Sequence, residues 1–335
     1  MRALIVTTVV LIHLLVIGYL VYSGRNPAEP EPSDSAPPTT RRRTPDTLPE
    51  EPDGPSAETP TRRERLLSSL PSSPQLPEDA SPNSRHCKAC LLVDWTPSRI
   101  LWHKQLRKVR PIASLTKMMT ALLLMEHVQA SQGVSLQTEV RVTQSAYRVG
   151  GSQVYMDPRE TFTVDEILKS IMIFSANDAA HLSAEFVGSG DVERFVERMN
   201  ERASMMGLDS MHFSNPHGLP TSSEERDNRS NVLDLAVLTG KLLEFPRVLK
   251  WSSTWLSYLR EDTGKPFQLV NRNRLVHDYP GVTGMKTGFT NNAGFCLAAT
   301  WQSDSRTLIA VVTGCPSSEQ RNELVSALLT WAREQ

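Results

Sequence analysis

Prolines recur every few residues between Pro27 and Asn83, set among Glu, Asp, Ser, Thr and Arg with almost no aromatic or β-branched apolar side chains. Such a stretch cannot bury enough apolar surface to offset the entropy of ordering its backbone, so it predicts a disordered segment. Any folded core must come from the chain beyond about Arg85. The roughly 57 residues of the Pro-rich stretch would span about 40 Å as a flexible coil, and well over 100 Å if drawn toward polyproline geometry, which suits a spacer.

Ahead of the spacer, Ala3 to Val21 are uncharged and almost wholly apolar, with His13 as the one strongly polar interruption. That run is long enough to cross a bilayer once as a helix. A cleaved signal peptide has a shorter apolar core and a small-residue cut site, for which Val21-Tyr22-Ser23 is a weak match. The expectation is an N-terminal transmembrane anchor over residues 1–24, with a signal peptide as the alternative, followed by a linker over 25–84. Arg2 and Arg25 flank the run on opposite sides, so charge alone leaves its orientation open.

Composition narrows the function classes. The 36 Lys and Arg are balanced by 37 Asp and Glu, for a net charge of -1, and they are scattered, so there is no electrostatic footprint for nucleic acid. The four cysteines are Cys87, Cys90, Cys296 and Cys315. No second CxxC and no paired histidines follow Cys87-Lys88-Ala89-Cys90 at ligand spacing, so neither a metal site nor any cofactor is expected. Cys87 to Asp94 alternates and then continues as an apolar strand, which sets residues three apart on opposite faces and argues against a bond within the CxxC.

From residue 85 to 335, strand patterns alternate with amphipathic helices, the mark of one α/β or α+β domain. Cys90 to Asp94, Arg99 to Trp102, Gly294 to Trp301 and Thr307 to Thr313 read as strands. Val192, Phe195, Val196 and Met199 form one apolar stripe between Asp191 as cap and Gly207 as stop. Val164 to Phe174, Leu233 to Leu243 and Glu319 to Trp331 read as further helices. Their order suggests a sheet whose first strand is rejoined by the last two, with a mostly helical block inserted between.

Three short motifs carry chemistry. Ser114-Leu115-Thr116-Lys117 opens an apolar helix and puts a hydroxyl and an amine one turn apart on one face. A serine is a poor nucleophile until a base takes its proton, and a lysine can serve only if burial, a cationic neighbour or a helix dipole lowers its pKa. Ser175-Ala176-Asn177 interrupts an amphipathic run, and on a turn between helices its hydroxyl and amide could relay a proton and hold a carbonyl. Lys286-Thr287-Gly288-Phe289 precedes a strand. There Lys286 would supply a second cation, Thr287 would bind a carboxylate, and Gly288 would let a substrate backbone approach. The N–H groups of Ser114 and Phe289 would form an oxyanion hole. The first two motifs are weak alone and Lys-Thr-Gly is rarer; in this order and spacing they form one set.

With these motifs in place, the chain from about Lys88 to Trp331 strongly resembles the D-alanyl-D-alanine carboxypeptidase family of low-molecular-mass penicillin-binding proteins. The likeness also includes Asn177-Asp178-Ala179-Ala180 and His212-Phe213-Ser214-Asn215-Pro216-His217-Gly218-Leu219. The resemblance implies a penicillin-binding protein/β-lactamase-like fold: a five-stranded antiparallel sheet flanked by helices, with a helical subdomain. It implies that Ser114 attacks the carbonyl between two D-alanines of a peptidoglycan stem peptide, that Lys117 takes its proton, and that Ser175, Asn177 and Lys286 complete the centre. Arg272 would help receive the terminal carboxylate, and β-lactams would bind covalently. The His212 to Leu219 stretch would be a structural loop. Cys87 and Cys315 would lie at the same end of the sheet, within reach of a disulfide. With the chain ending at Gln335, the extra C-terminal β-domain of many members is not expected, and tethering would fall to the N-terminal helix, with the domain on the extracytoplasmic side of the cytoplasmic membrane.

Three rivals stand beside this reading. A D,D-endopeptidase or transpeptidase would use the same acyl-enzyme on crosslinked material. A class A β-lactamase needs a Glu-x-x-Leu-Asn segment that has no counterpart after Asn177. A catalytically silent cell-wall-binding relative would have kept the fold, but all three motifs are intact.

Overall fold

The computed structural model describes residues 60–71 and 81–335. The apolar run Ala3 to Val21 and most of the Pro-rich spacer lie outside them, and among the described residues no helix is long and apolar enough to cross a membrane.

In chain order the strands are Ala89–Asp94 (β1), Arg99–Lys104 (β2), Arg110–Pro111 (β3), Glu139–Arg141 (β4), Thr161–Thr163 (β5), Arg229–Ser230 (β6), Leu256–Leu259 (β7), Phe267–Val270 (β8), Val282–Thr290 (β9), Gly294–Gln302 (β10) and Thr307–Cys315 (β11). Five of them form the central antiparallel sheet in the order β2-β1-β11-β10-β9, so the first strand is rejoined by the last ones and β9 is left at an edge. The remaining six pair two by two.

Alternation along the strands builds two cores. Leu91, Val93, Ala298, Ile309 and Val311 face one way and pack with Met118, Leu122 and Leu235 from the inserted helical block. Leu92, Leu297, Ala299, Ala310 and Val312 face the other way, onto Leu324, Val325, Leu328 and Leu329 of helix Ser318–Arg333. Because both faces are covered, every residue of β1 is buried, which is why its sequence reads as an apolar run. Cys87 and Cys315 are joined by a disulfide at the start of β1 and the end of β11, while Cys90 and Cys296 are free and buried.

Most predicted helices form where expected. Asp191 caps helix Val192–Met205 by accepting from Arg194 N, and Ser317 caps Ser318–Arg333. Two expectations need correction. The spacer is not without structure throughout, because Arg62–Ser68 is a helix, closed at its start by a Thr61/Glu64 capping box, with Leu66 wholly buried. A single helix from Val164 to Phe174 does not form: an α-helix runs Val164–Lys169 and passes into a π turn, Ser170–Phe174. Ser114 stands at the opening of its helix as expected, in the 3-10 turn Ala113–Thr116 that leads into Lys117–Ala130.

Candidate active site

The 3-10 turn gives Ser114 its geometry. With three residues per turn, positions i and i+3 eclipse, so the side chains of Ser114 and Lys117 stand on one side. Lys117 Nζ lies 3.0 Å from Ser114 Oγ. Ala113, just before the serine, is held at φ 47°, an unusual conformation for a residue with a side chain. Two contacts fix it: Thr116 Oγ1 donates to Ala113 O at 2.7 Å, and the backbone of Gly218 presses so close that a Cβ there would stand 2.0 Å from Ala113 O. Ser114 is half-buried, whereas Lys117 is wholly enclosed.

Lys117 Nζ also lies 2.6 Å from Asn177 Oδ1 and 2.6 Å from His217 O. Its pKa is pushed well below the usual lysine value, first by burial and then by the nearby Lys286 ammonium, with Asp178 opposing. A neutral lysine has two N–H donors and one lone pair. Asn177 Oδ1 and His217 O can only accept, so they take the two donors, and the lone pair is left for the hydroxyl proton of Ser114.

Ser175 ends the π turn in the left-handed region, at φ 65°, and Asn177 opens helix Asn177–Val187. Such turns recur at functional sites because they displace a side chain from the helical ladder. The Ser175 hydroxyl caps no helix; it accepts from Lys286 Nζ at 2.7 Å. Asn177 is pinned from the other side: its Nδ2 donates to Gly150 O at 2.8 Å and its N–H to Ser152 O at 2.7 Å. The adjacent Asp178, fully buried, accepts from Val154 N at 3.1 Å and from Met156 N at 3.3 Å, which stitches the loop after Gly150 against the helix.

From the sheet comes β9. Lys286 is 2% exposed and donates to Thr287 O at 3.0 Å as well as to Ser175. Burial, reinforced by the guanidinium charges of Arg272 and Arg321, brings its pKa down to about 7. Thr287 is buried beside it. At Gly288 the strand lies backbone to backbone on the serine turn, because a Cβ there would stand 3.0 Å from Ser114 N and 3.0 Å from Ile112 O. Phe289 follows, half exposed, with its ring stacked on Phe295 at 4.2 Å between centroids. Arg272 lies against the π turn: its N–H donates to Ile173 O at 3.0 Å, its Nε to Phe174 O at 3.3 Å, and its guanidinium sits 4.1 Å over the Phe174 ring.

All nine residues singled out from the sequence therefore fall on segments that meet at one seam between the sheet edge and the helical block. Sequence reasoning missed the carbonyl of His217, the close approach of Gly218, and the Gly150 to Ser152 loop. The signal for the last was present in the Gly150-Gly151 pair: Gly151 adopts φ 81°, and a Cβ there would stand 2.6 Å from Asn177 Nδ2. The His212 to Leu219 stretch is a loop, as the resemblance implies, but not only a structural one, since it delivers a backbone acceptor to Lys117. The His217 ring stays neutral, its pKa brought down to about 3 chiefly by burial.

Comparison with known proteins identifies the family and the fold. The chain matches the D-alanyl-D-alanine carboxypeptidase family, peptidase family S11, over residues 77–317, and it belongs to that family. It is 38% identical over 252 residues to the D-alanyl-D-alanine carboxypeptidase DacF of Bacillus subtilis, covering 75% of this chain and 63% of that protein. The chain thus spans less than two thirds of that relative's length. Among solved structures, penicillin-binding protein 6B of Escherichia coli superposes with a TM-score of 0.69 at 30% identity, covering 79% of this chain and 80% of that one. Penicillin-binding protein D2 of Listeria monocytogenes, solved in its ampicillin-bound form, gives 0.64 at 26% identity, covering 73% and 96%.

Proposed function

We propose that this chain is a serine D-alanyl-D-alanine carboxypeptidase acting on peptidoglycan stem peptides. The observation that carries the reading is the environment of Lys117: an enclosed amine, 3.0 Å from Ser114 Oγ, with its two other directions taken by Asn177 Oδ1 and His217 O. Ser114 Oγ attacks the carbonyl between the two D-alanines as its proton passes to Lys117 Nζ. The oxyanion is received by N–H groups of Ser114 and Phe289. The C–N bond then breaks, the leaving amine takes a proton by way of the Lys117 and Ser175 hydrogen-bonded network, and free D-alanine departs. Water hydrolyses the ester and restores the serine. Lys286, Thr287 and Arg272 offer charge and hydrogen bonds to the terminal carboxylate.

Penicillins fit the same scheme, because their strained amide presents a carbonyl and a carboxylate at comparable spacing. The resulting acyl-enzyme persists where water is poorly activated. The ampicillin-bound state of the Listeria relative supports this extension. Labelling with a fluorescent penicillin tests it: wild-type protein takes the label and Ser114→Ala does not. Digestion of muropeptides followed by chromatography tests the substrate, with D-alanine released from pentapeptides and crosslinked dimers left whole. Loss of dimers instead would favour an endopeptidase.

The apolar run Ala3 to Val21 supports a further part of the reading, that the chain is held in the cytoplasmic membrane with its catalytic domain outside. Protein that leaves the membrane fraction on alkaline carbonate washing would refute the anchor.

A further inference from the structure

Opposite the catalytic edge, the domain grips a piece of chain that composition assigns to the spacer. Leu66 of helix Arg62–Ser68 is wholly buried, with Leu67 packed beside it. Arg63 Nε donates to Asp234 Oδ1 at 2.8 Å, and the Asp234 side chain is completely enclosed, its other oxygen taken by Ser210 N and Oγ. Arg62 lies 4.5 Å over the Trp95 ring and donates to Trp95 O and Ser98 Oγ. Ser69 Oγ accepts from Ile100 N at 2.9 Å, so it satisfies a donor of the edge strand β2.

We propose that Thr61 to Ser69 form a clasp, an interaction surface in which β2 and helix Val232–Leu242 bind the chain's own N-terminal segment and make it the attachment point for everything before it. Each contact is of a kind that a passing linker lacks: an apolar plug, a charge placed on an enclosed carboxylate, a cation over an indole face, and a hydroxyl closing a sheet edge. The position has a mechanical consequence. β2 and β9 are the two edges of the sheet, four strand spacings or about 19 Å apart, so tension on the N-terminal side reaches the edge away from β9 through Ser69 and helix Val232–Leu242 through Arg63. This holds whatever reaction Ser114 performs.

Hydrogen exchange on the full chain tests the proposal. The amides of Ser69, bonded to Leu66 O, and of Ile100, bonded to Ser69 Oγ, should exchange at least about tenfold more slowly than in an unstructured peptide. Leu66→Asp should abolish that protection and lower Tm by about 5 °C or more, while the amides of β1 and β11 keep theirs, which shows an intact fold. Should Leu66→Asp fail to fold, Arg63→Ala is the second variant, with the same loss of protection and a smaller fall in Tm. Amides of residues 65–69 exchanging at unstructured rates in the wild type, or a Leu66→Asp protein as stable as the wild type, would overturn the clasp.

Discussion

Lys286 Nζ donates to Ser175 Oγ across 2.7 Å, so a lysine on the sheet edge holds a serine of the helical block although 111 positions separate them in sequence. Neither of its acceptors, Ser175 Oγ and Thr287 O, carries a negative charge. The ammonium is therefore uncompensated within this hydrogen-bond set, and an incoming carboxylate would complete it.

The first prediction concerns the stability given up for that arrangement. The folded pKa of Lys286 is about 7, whereas an unfolded lysine titrates near its ordinary value of 10.5. Between those values the unfolded chain binds the extra proton, so this residue's penalty is full below about pH 7 and fades as pH rises toward 10.5. Lys286→Met should melt no lower than wild type near pH 7, and its advantage should shrink by about pH 10. Penicillin acylation should fall by about 10² or more. A melting difference that does not vary with pH would contradict the argument.

Lys117 admits a sharper test of the proton acceptor. Lys117→Arg keeps the ability to donate to Asn177 and His217, but a guanidinium has no lone pair to offer. Acylation should drop by about 10³ or more in Lys117→Arg and in Lys117→Ala alike, measured by the rate of fluorescent penicillin labelling. In the wild type the same rate should decline on the acid side, as protonation removes the lone pair of Lys117. An arginine variant that acylated normally would dismiss Lys117 as the base.

Removing the Cys87–Cys315 bond should destabilise the domain without disabling it. The bond closes a loop of sequence separation 228, for which chain entropy predicts about 5 kcal/mol, and measured losses for native disulfides run at about 2 to 5 kcal/mol. The double variant Cys87→Ser/Cys315→Ser should melt about 5 to 15 °C lower and still acylate at 25 °C. An unchanged melting curve would show that the pairing of β1 with β11 needs no staple.

Gly218 should be unexpectedly intolerant. It adopts φ 84°, and a Cβ would stand 2.0 Å from Ala113 O and 2.9 Å from Thr116 Oγ1. Gly218→Ala must therefore displace the turn that carries Ser114 or the loop that carries His217 O, and labelling should slow by about tenfold or more. Equal rates in Gly218→Ala and wild type would mean that the turn yields freely.

Much of the fold was legible because β1, β10 and β11 are apolar runs of strand length, and because Asp191 and Ser317 announce their helices with caps. The three motifs were legible for a similar reason: each is a local string of reactive types. What escaped reading was contributed by backbone. The carbonyl of His217 and the loop at Gly150 act through atoms that every residue possesses, so residue identity says little about them. The π turn before Ser175 was hidden because Ser170–Phe174 has the same apolar pattern as the α-helix it extends. The helix Arg62–Ser68 was overlooked among prolines, although Thr61 and Glu64 stand at capping-box spacing ahead of Leu66 and Leu67.

The Lys117 amine is held by three separate stretches of chain, the serine turn, the Asn177 helix and the His217 loop, with the Lys286 strand closing the seam. No fragment of the molecule can present that constellation by itself. A covalent tag on Ser114 would therefore double as a census of intact molecules, counting copies in which sheet and helical block are docked and passing over those in which either has come loose.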